Sequence, residues 1–298
     1  MTDAITLDAR QEEYRRSKQK RKVRELGKKV VLYTILCTLA VIFLFPFVLT
    51  ILNSLQDLNP GAKKIIPDVF HWENYYLAVT LIPFTRYLMN SLTLVCISVS
   101  LSVFMNLIMG YAFARVRAPG KNIVFTIVLS TMMIPGIVTM IPQYILFNTI
   151  GLMDTYWLWV ITGFGGSAFN IFLYRQFFAA MPKALEEAAT VDGCSVLGTI
   201  FRIFVPSSKP VMMIVAVNAF QWVWNDYMMP FMYLSEKKYP LSMALFGTTT
   251  YIIPGSPNLV MDSLINCAAI LMSIPAIIIF FFGQKYLVEG IVTTGIKG

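Results

Sequence analysis

The sequence predicts an all-α, polytopic membrane protein with six transmembrane helices. Of its 298 residues, 57% are hydrophobic and 13% charged, where an ordinary soluble chain carries about 25% charged residues. Uncharged runs long enough to cross a hydrocarbon core of about 30 Å recur along the chain. The Lys and Arg residues gather on alternate connections between those runs. A soluble monomer of this size could not cover its core with so little polar surface, and a chain this apolar is not intrinsically disordered. Four scattered cysteines give no disulfide framework. With no CxxC and His71 as the sole histidine, no metal site is expected.

The elements follow in order. Residues 10–29 hold ten Lys/Arg against three Glu, a local net of +7 in a chain of +8. A basic block directly before an apolar run marks residues 1–29 as a cytoplasmic tail that can also meet anionic membrane lipid. No aromatic platform accompanies it, so nucleic acid is not an expected partner. Val30–Leu52 is 23 residues without a charge, too long for a signal-peptide core and without a small-residue cleavage site, so it reads as a retained first span. Residues 53–86 form an external segment whose Phe70, Trp72, Tyr75 and Tyr76 suit a membrane interface. Tyr87–Ala114 is the second span. Asn122–Met153 is too long for one helix, and Pro135 with Pro142 predicts a kink or re-entrant stretch near its outer end. Thr155–Tyr174, Pro210–Ser235 and Ser263–Gln284 complete the six spans within a transmembrane domain over 30–298. With the tail inside, segments 1–29, 115–121, 175–209 and 285–298 hold nineteen of the 24 Lys/Arg, which predicts that both termini are cytoplasmic.

The internal segment around 182–207 is unlike the other connections. Pro182 suits a helix start, and Glu186 and Glu187 favour the positive end of its dipole. Ala188 and Ala189 make a small, closely approachable surface. Gly193 permits a bend or a left-handed cap, and a second short helix over Ser195–Phe204 is expected to stop before Pro206. Two short helices joined at a glycine outside the bilayer suit the cleft of another protein; an amphipathic interfacial helix with no partner is the plainer reading.

Glu187-Ala188-Ala189, three residues, Gly193, nine residues, Ile203, one residue, then Val205-Pro206 resembles the EAA loop of bacterial ABC-importer permeases, with Val205 where the family usually has Leu. PFTRYLMNSL (83–92), GYAFARVRAPGK (110–121), YRQFFAAMPKALEEAATVDG (174–193), WNDYMMP (224–230) and GIKG (295–298) are similar to the carbohydrate-uptake branch, the smaller permease of maltose-type importers. The resemblance implies an ABC type I importer permease fold in a bacterial cytoplasmic (inner) membrane. It also implies a homologous second permease subunit, two ATP-binding-cassette subunits carrying ATP and Mg, and an extracytoplasmic sugar-binding protein. Glu187, Ala188, Ala189, Asp192, Gly193, Ile203 and Pro206 are then the expected ATPase-coupling residues, with Glu187 meeting a basic group in the ATPase cleft. Asp192 either caps the turn or pairs, or is a solvated loop acid.

No GxxxxGK[ST] occurs, so the chain has no P-loop of its own, and no nucleophile set for catalysis can be assembled around His71. The chain is expected to be no enzyme, to hold no cofactor and to take its energy from a partner. Polar groups inside lipid face a cavity or bundle interior, which makes Asn218, Gln221, Trp222, Asn225 and Asp226 candidates for a sugar pathway. Interfacial anchoring is the alternative for the outermost of them. Asn90, Asn106, Asn170 and Asn266 read as interhelical ties. The external loop 239–262, with Gly247, Thr249, Tyr251, Pro254 and Gly255, either contacts the binding protein, as in maltose-type permeases, or only joins two spans. An ion-gradient-driven secondary transporter or a channel component is the rival function; it would need intramembrane acids or an inverted repeat, and only Asp226 qualifies.

Overall fold

The computed structural model describes residues 2–58, 64–81, 83–247 and 262–295, and every regular element among them is helical. Helix α1 (Thr2–Ser54) carries the basic tail and the first apolar run as one 53-residue rod. Its apolar middle is exposed all round, as a helix facing hydrocarbon is. It joins the other helices at its far end, where Ser54, Leu55 and Gln56 are buried. There Asn74 of α2 (Glu73–Leu81) donates to Ser54 O at 2.9 Å and to Gln56 O at 2.8 Å. Cys267 Sγ approaches the same Ser54 carbonyl at 3.4 Å. The segment after the first span is thus tied down by a buried amide. Of its aromatics, Phe70, Trp72 and Tyr76 are exposed, while Tyr75 bonds Ser54 Oγ at 3.0 Å.

Helix α3 (Phe84–Arg115) is the centre of the bundle, packed by α6 (Trp157–Gly165), α7 (Ala168–Ala180) and α11 (Lys209–Asn225). Between them run α4 (Lys121–Ser130), α5 (Gly136–Thr149), α8 (Ala184–Val191), α9 (Val196–Thr199) and α10 (Val205–Ser207). Then follow α12 (Met228–Tyr233), α13 (Leu241–Gly247) and α14 (Asp262–Gly295). Among the described residues, three helices are long and apolar enough to cross a membrane, and three bent pairs raise the crossings to as many as six.

The bends follow from the sequence. The run 122–153 turns through 100° between Met133 and Gly136, at the expected Pro135; Pro142 stays inside α5. The expected single span 155–174 is instead broken by 41°. Gly166 takes φ +70 and ψ 179, an extended left-handed conformation open only to glycine, and helix α7 then runs on past Arg175 to Ala180. The expected span 210–235 is also broken, because α11 ends at Asn225 and Asp226 is extended. Its Oδ1 accepts from Met228 N at 3.0 Å and Met229 N at 3.1 Å, which starts α12 as an Asx cap does. The external loop 239–262 begins with helix α13, fixed by Leu241 N donating to Ser91 Oγ at 2.8 Å.

Among the described residues, two of four apolar clusters lie at opposite ends of the bundle. At the end that carries α8, Leu107, Tyr111, Tyr174, Phe178, Phe204 and Val215 pack together. At the opposite end, Leu94, Phe147, Leu158, Trp159 and Tyr233 do so.

Candidate functional site

The segment 182–207 folds as the sequence predicts up to Gly193. Met181 is extended before Pro182, and α8 ends in a Schellman motif: Cys194 N bonds Ala189 O at 2.9 Å and Gly193 N bonds Thr190 O at 3.1 Å. Gly193 takes φ +73, so the left-handed cap is the alternative realised. Ser195 caps the next helix, accepting from Gly198 N at 3.2 Å. That helix does not stop before Pro206. A π-helical turn over Ile200–Phe204, closed by Val205 N to Ile200 O, leads directly into α10. Widening the turn carries the chain past a proline that has no N–H and whose ring would crowd an α-helical carbonyl.

The two short helices have distinct faces. Ala189, Ile200 and Phe204 are buried, and Ile203 packs beside them in the core shared with α3, α7 and α11. Glu187, Ala188, Asp192 and Pro206 are exposed, together with Val191, Val196, Leu197 and Phe201. Asp192 makes neither a cap bond nor an ion pair among the described residues, in keeping with a solvated acid. The adjacent Glu186 points the other way: Tyr111 OH donates to its Oε1 at 2.8 Å, and Arg115 Nη1 lies 3.9 Å from its Oε2. Sequence reasoning left Glu186 without a site role, because nothing in the EAA spacing says which of two adjacent acids faces inward.

A cavity of about 930 Å³ opens between α3, the α6–α7 break and α11. Of the five pathway candidates, Asn218, Gln221, Trp222 and Asp226 line it. Asn225 does not; its amide turns back to Gln221 O at 2.9 Å. Trp222 is 79% exposed, whereas Trp224 is buried, stacked on Phe220, and donates to Met272 O at 3.1 Å. Asn106 and Asn170, expected only as ties, also line the cavity. Asn106 Oδ1 accepts from Ser167 N at 2.7 Å, satisfying the donor freed where α6 breaks, and Asn170 Nδ2 donates to Ser102 Oγ at 3.1 Å. Asn170 Oδ1 is buried with no hydrogen-bond partner among the described residues. The sequence signal that finds this pair is the Gly165-Gly166-Ser167 interruption in an apolar run. Asn90 is a tie, bonding Lys237 O and Tyr239 O at 3.0 Å each. Asn266 is not, since its amide bonds Asp262 O in its own helix.

On the opposite side from α8, Asp154 pins the turn before α6. Its Oδ1 accepts from Ser235 N at 2.9 Å, and Lys238 Nζ lies 3.4 Å from its Oδ2 and donates to its carbonyl. The Ser235 N–H first, and Lys238 after it, hold this carboxyl below the ordinary carboxylate range. Of the external-loop candidates, Gly247 closes α13, while Thr249, Tyr251, Pro254 and Gly255 lie outside the described residues. No cluster of three or more metal-ligating side chains occurs among the described residues.

Comparison with known proteins gives a consistent result. The chain is 31% identical to the arabinooligosaccharides transport system permease protein AraQ of Bacillus subtilis, over 91% of this chain and 96% of that one. It is 28% identical to protein LplC of the same organism, over 86% and 90% of the two chains. It is 26% identical to the maltose/maltodextrin transport system permease protein MalG of Yersinia pestis, over 89% and 92%. Its fold matches a chain in the crystal structure of a bacterial ABC transporter that imports the acidic polysaccharide alginate. The TM-score is 0.75 at 21% identity, covering 86% of this chain and 95% of that chain. Residues 106–293, which contain the last ten residues of the central helix, the broken helices and the two-helix loop, match the family described as binding-protein-dependent transport system inner membrane component, and the chain belongs to that family.

Proposed function

We propose that this chain is the permease subunit of a sugar or oligosaccharide ABC importer, working by alternating access powered by ATP hydrolysis on partner subunits. The observation that carries the reading is the two-faced coupling loop. One side is buried in the core of the spans, and the other leaves Glu187, Ala188, Val191 and Leu197 exposed among the described residues. An element so built receives a push from a partner and passes it into the bundle. The partners are two ATP-binding-cassette subunits with ATP and Mg, a homologous second permease and an extracytoplasmic sugar-binding protein, for which the loop around 247–255 is the contact. The names of the relatives support a carbohydrate cargo. So does the cavity: amides, hydroxyls and the Trp222 indole line it, and no Lys or Arg does among the described residues, a set suited to hydroxyl groups and the apolar face of a sugar ring.

Residues 1–29 form a basic cytoplasmic tail and 30–298 the permease domain, with both termini cytoplasmic. A cysteine placed at position 5 then resists an impermeant thiol reagent in intact cells, and labelling from outside refutes the orientation. The function itself is tested by purifying the chain from membranes with its associated subunits. An ATPase subunit co-purifies, and its activity in proteoliposomes rises with sugar-loaded binding protein. Recovery of the chain without an ATPase, together with uptake driven by an ion gradient, refutes the reading.

A further inference from the structure

The inward face of α8 is tied to the spans by a group of side chains that the docking role of Glu187 does not explain. Arg115, the last residue of α3, has only 5% of its side chain exposed. Its Nη2 donates to Phe178 O at 2.6 Å and Met181 O at 2.5 Å, at the C-terminal end of α7. Its guanidinium lies 5.6 Å from the centre of the Phe204 ring in the second short helix, and Nη1 faces Glu186 of α8. Tyr111, one turn earlier on α3, sets its ring edge-on to Phe178 and Phe204 and donates its hydroxyl to Glu186. Four elements therefore meet at one buried cation.

We propose that Tyr111, Arg115 and Glu186 are positioning residues that form a joint, transmitting displacement of α8 into α3 and α7. The proposal rests on the coupling-loop reading above and adds residues that the EAA spacing does not include. Apolar contacts such as Phe204 against Phe178 permit packed helices to slide over one another. Charge-assisted hydrogen bonds of fixed direction do not. Arg115 holds α7 through hydrogen bonds to two carbonyls and faces Glu186 of α8 as an ion pair at 3.9 Å, while the directed hydrogen bond to Glu186 comes from Tyr111 on the same helix. If α8 moved alone, a buried guanidinium would lose its counter-charge, so moving α3 and α7 together with α8 is the favoured response. α3 and α7 also border the cavity, through Asn106 and Asn170, so displacement at Glu186 reaches the cavity through two continuous helices.

The test uses the complex purified with its ATPase subunit, with the four native cysteines replaced by serine and Thr131→Cys placed in the cavity wall. The probe is ATP with vanadate, and the readout is the rate at which an impermeant maleimide labels the cavity cysteine, with and without trapping. With the native joint, trapping changes that rate. Tyr111→Phe, which removes one oxygen and keeps the ring, and Glu186→Gln, which keeps the shape, are expected to shrink the change by about fivefold or more, the lower end of ordinary inter-site coupling. The ATPase subunit still co-purifies and still traps vanadate, because both side chains face away from the docking surface. A full response in both variants overturns the joint and leaves the coupling-loop reading standing. Loss of the ATPase subunit from Tyr111→Phe also overturns it, by showing that the cluster shapes the docking surface. If trapping changes nothing even with the native joint, the coupling-loop reading itself fails.

Discussion

Gly110→Ala is the substitution at which the packing of the bundle is most exposed to measurement. Gly110 lies where α3 crosses α7, and a Cβ there would overlap Tyr174 Cβ and sit 3.1 Å from Arg175 N and 3.2 Å from Tyr174 C. These are backbone atoms and the stem of a buried side chain, so no rotamer change relieves the overlap. The helices must part, and a separation on the order of 0.5–1 Å forfeits a quarter to a half of the dispersion energy of each facing contact. Tyr174 and Phe178 are fully buried at this crossing and Tyr111 nearly so, so the loss falls on the best-packed part of the molecule. Alanine recovers about 1 kcal/mol of helix propensity over glycine. Overpacking a well-filled interior costs about 1–3 kcal/mol, and here the obstruction is rigid, so we expect a net destabilisation of about 1–2 kcal/mol. At roughly 2–4 °C per kcal/mol for a domain of this size, the thermal midpoint of the detergent-solubilised protein falls by several degrees. Gly136→Ala is the control: a Cβ there meets nothing within 4 Å, and its midpoint holds or rises. If Gly110→Ala melts no lower than wild type while Gly136→Ala behaves as expected, the close approach of α3 and α7 does not depend on that glycine.

Three further outcomes follow from the geometry. Glu187→Lys assembles in the membrane but loses transport, because charge reversal on the exposed face of α8 opposes the basic partner group proposed for it; wild-type transport by the verified mutant in proteoliposomes would exclude Glu187 from coupling. Asp154 has its folded-state pKa lowered, so its contribution to stability is present above the ordinary carboxylate range and is lost as pH falls through the lowered value. The midpoint gap between wild type and Asp154→Asn therefore narrows on acidification, and a gap constant from neutral pH into strong acid contradicts the assignment. Asn106→Leu leaves Ser167 N–H without its acceptor at the α6–α7 break, and loss of this part-buried hydrogen bond costs about 0.5–1.5 kcal/mol; a midpoint equal to wild type would mean another group satisfies it.

The two-helix loop 182–207 was legible because its form is decided locally. Pro182, the left-handed Gly193 and the Ser195 cap each act through backbone geometry that any context preserves. The division of labour between Glu186 and Glu187 was not legible, since it depends on which acid meets Arg115, 71 residues away along the chain from Glu186. Pro206 misled for a related reason. Proline forbids an ordinary α-turn, yet the core buries Ile200 and Phe204 on one side, and a π-helical turn preserves both burials while letting the proline pass.

The cavity shows why a hydropathy reading finds the spans more easily than the site between them. The runs 155–174 and 210–235 were read as rods, and the cavity forms where they are interrupted, at Gly166 and at Asp226, beside the bend between α4 and α5 that Pro135 did announce. Within a membrane, a broken helix frees backbone donors and acceptors that lipid cannot satisfy, so breaks are tolerated only where protein or a water-filled space meets them. Asn106 meets the freed Ser167 N–H, and Asp226 meets Met228 and Met229. These polar side chains are required by the breaks whether or not a ligand is bound, and once present they give the cavity its polar lining. Asn218, Gln221 and Trp222 are different. They lie on an unbroken stretch of α11, where the helix backbone does not require them, and in the proposed function they are the cavity-wall side chains that would meet the cargo.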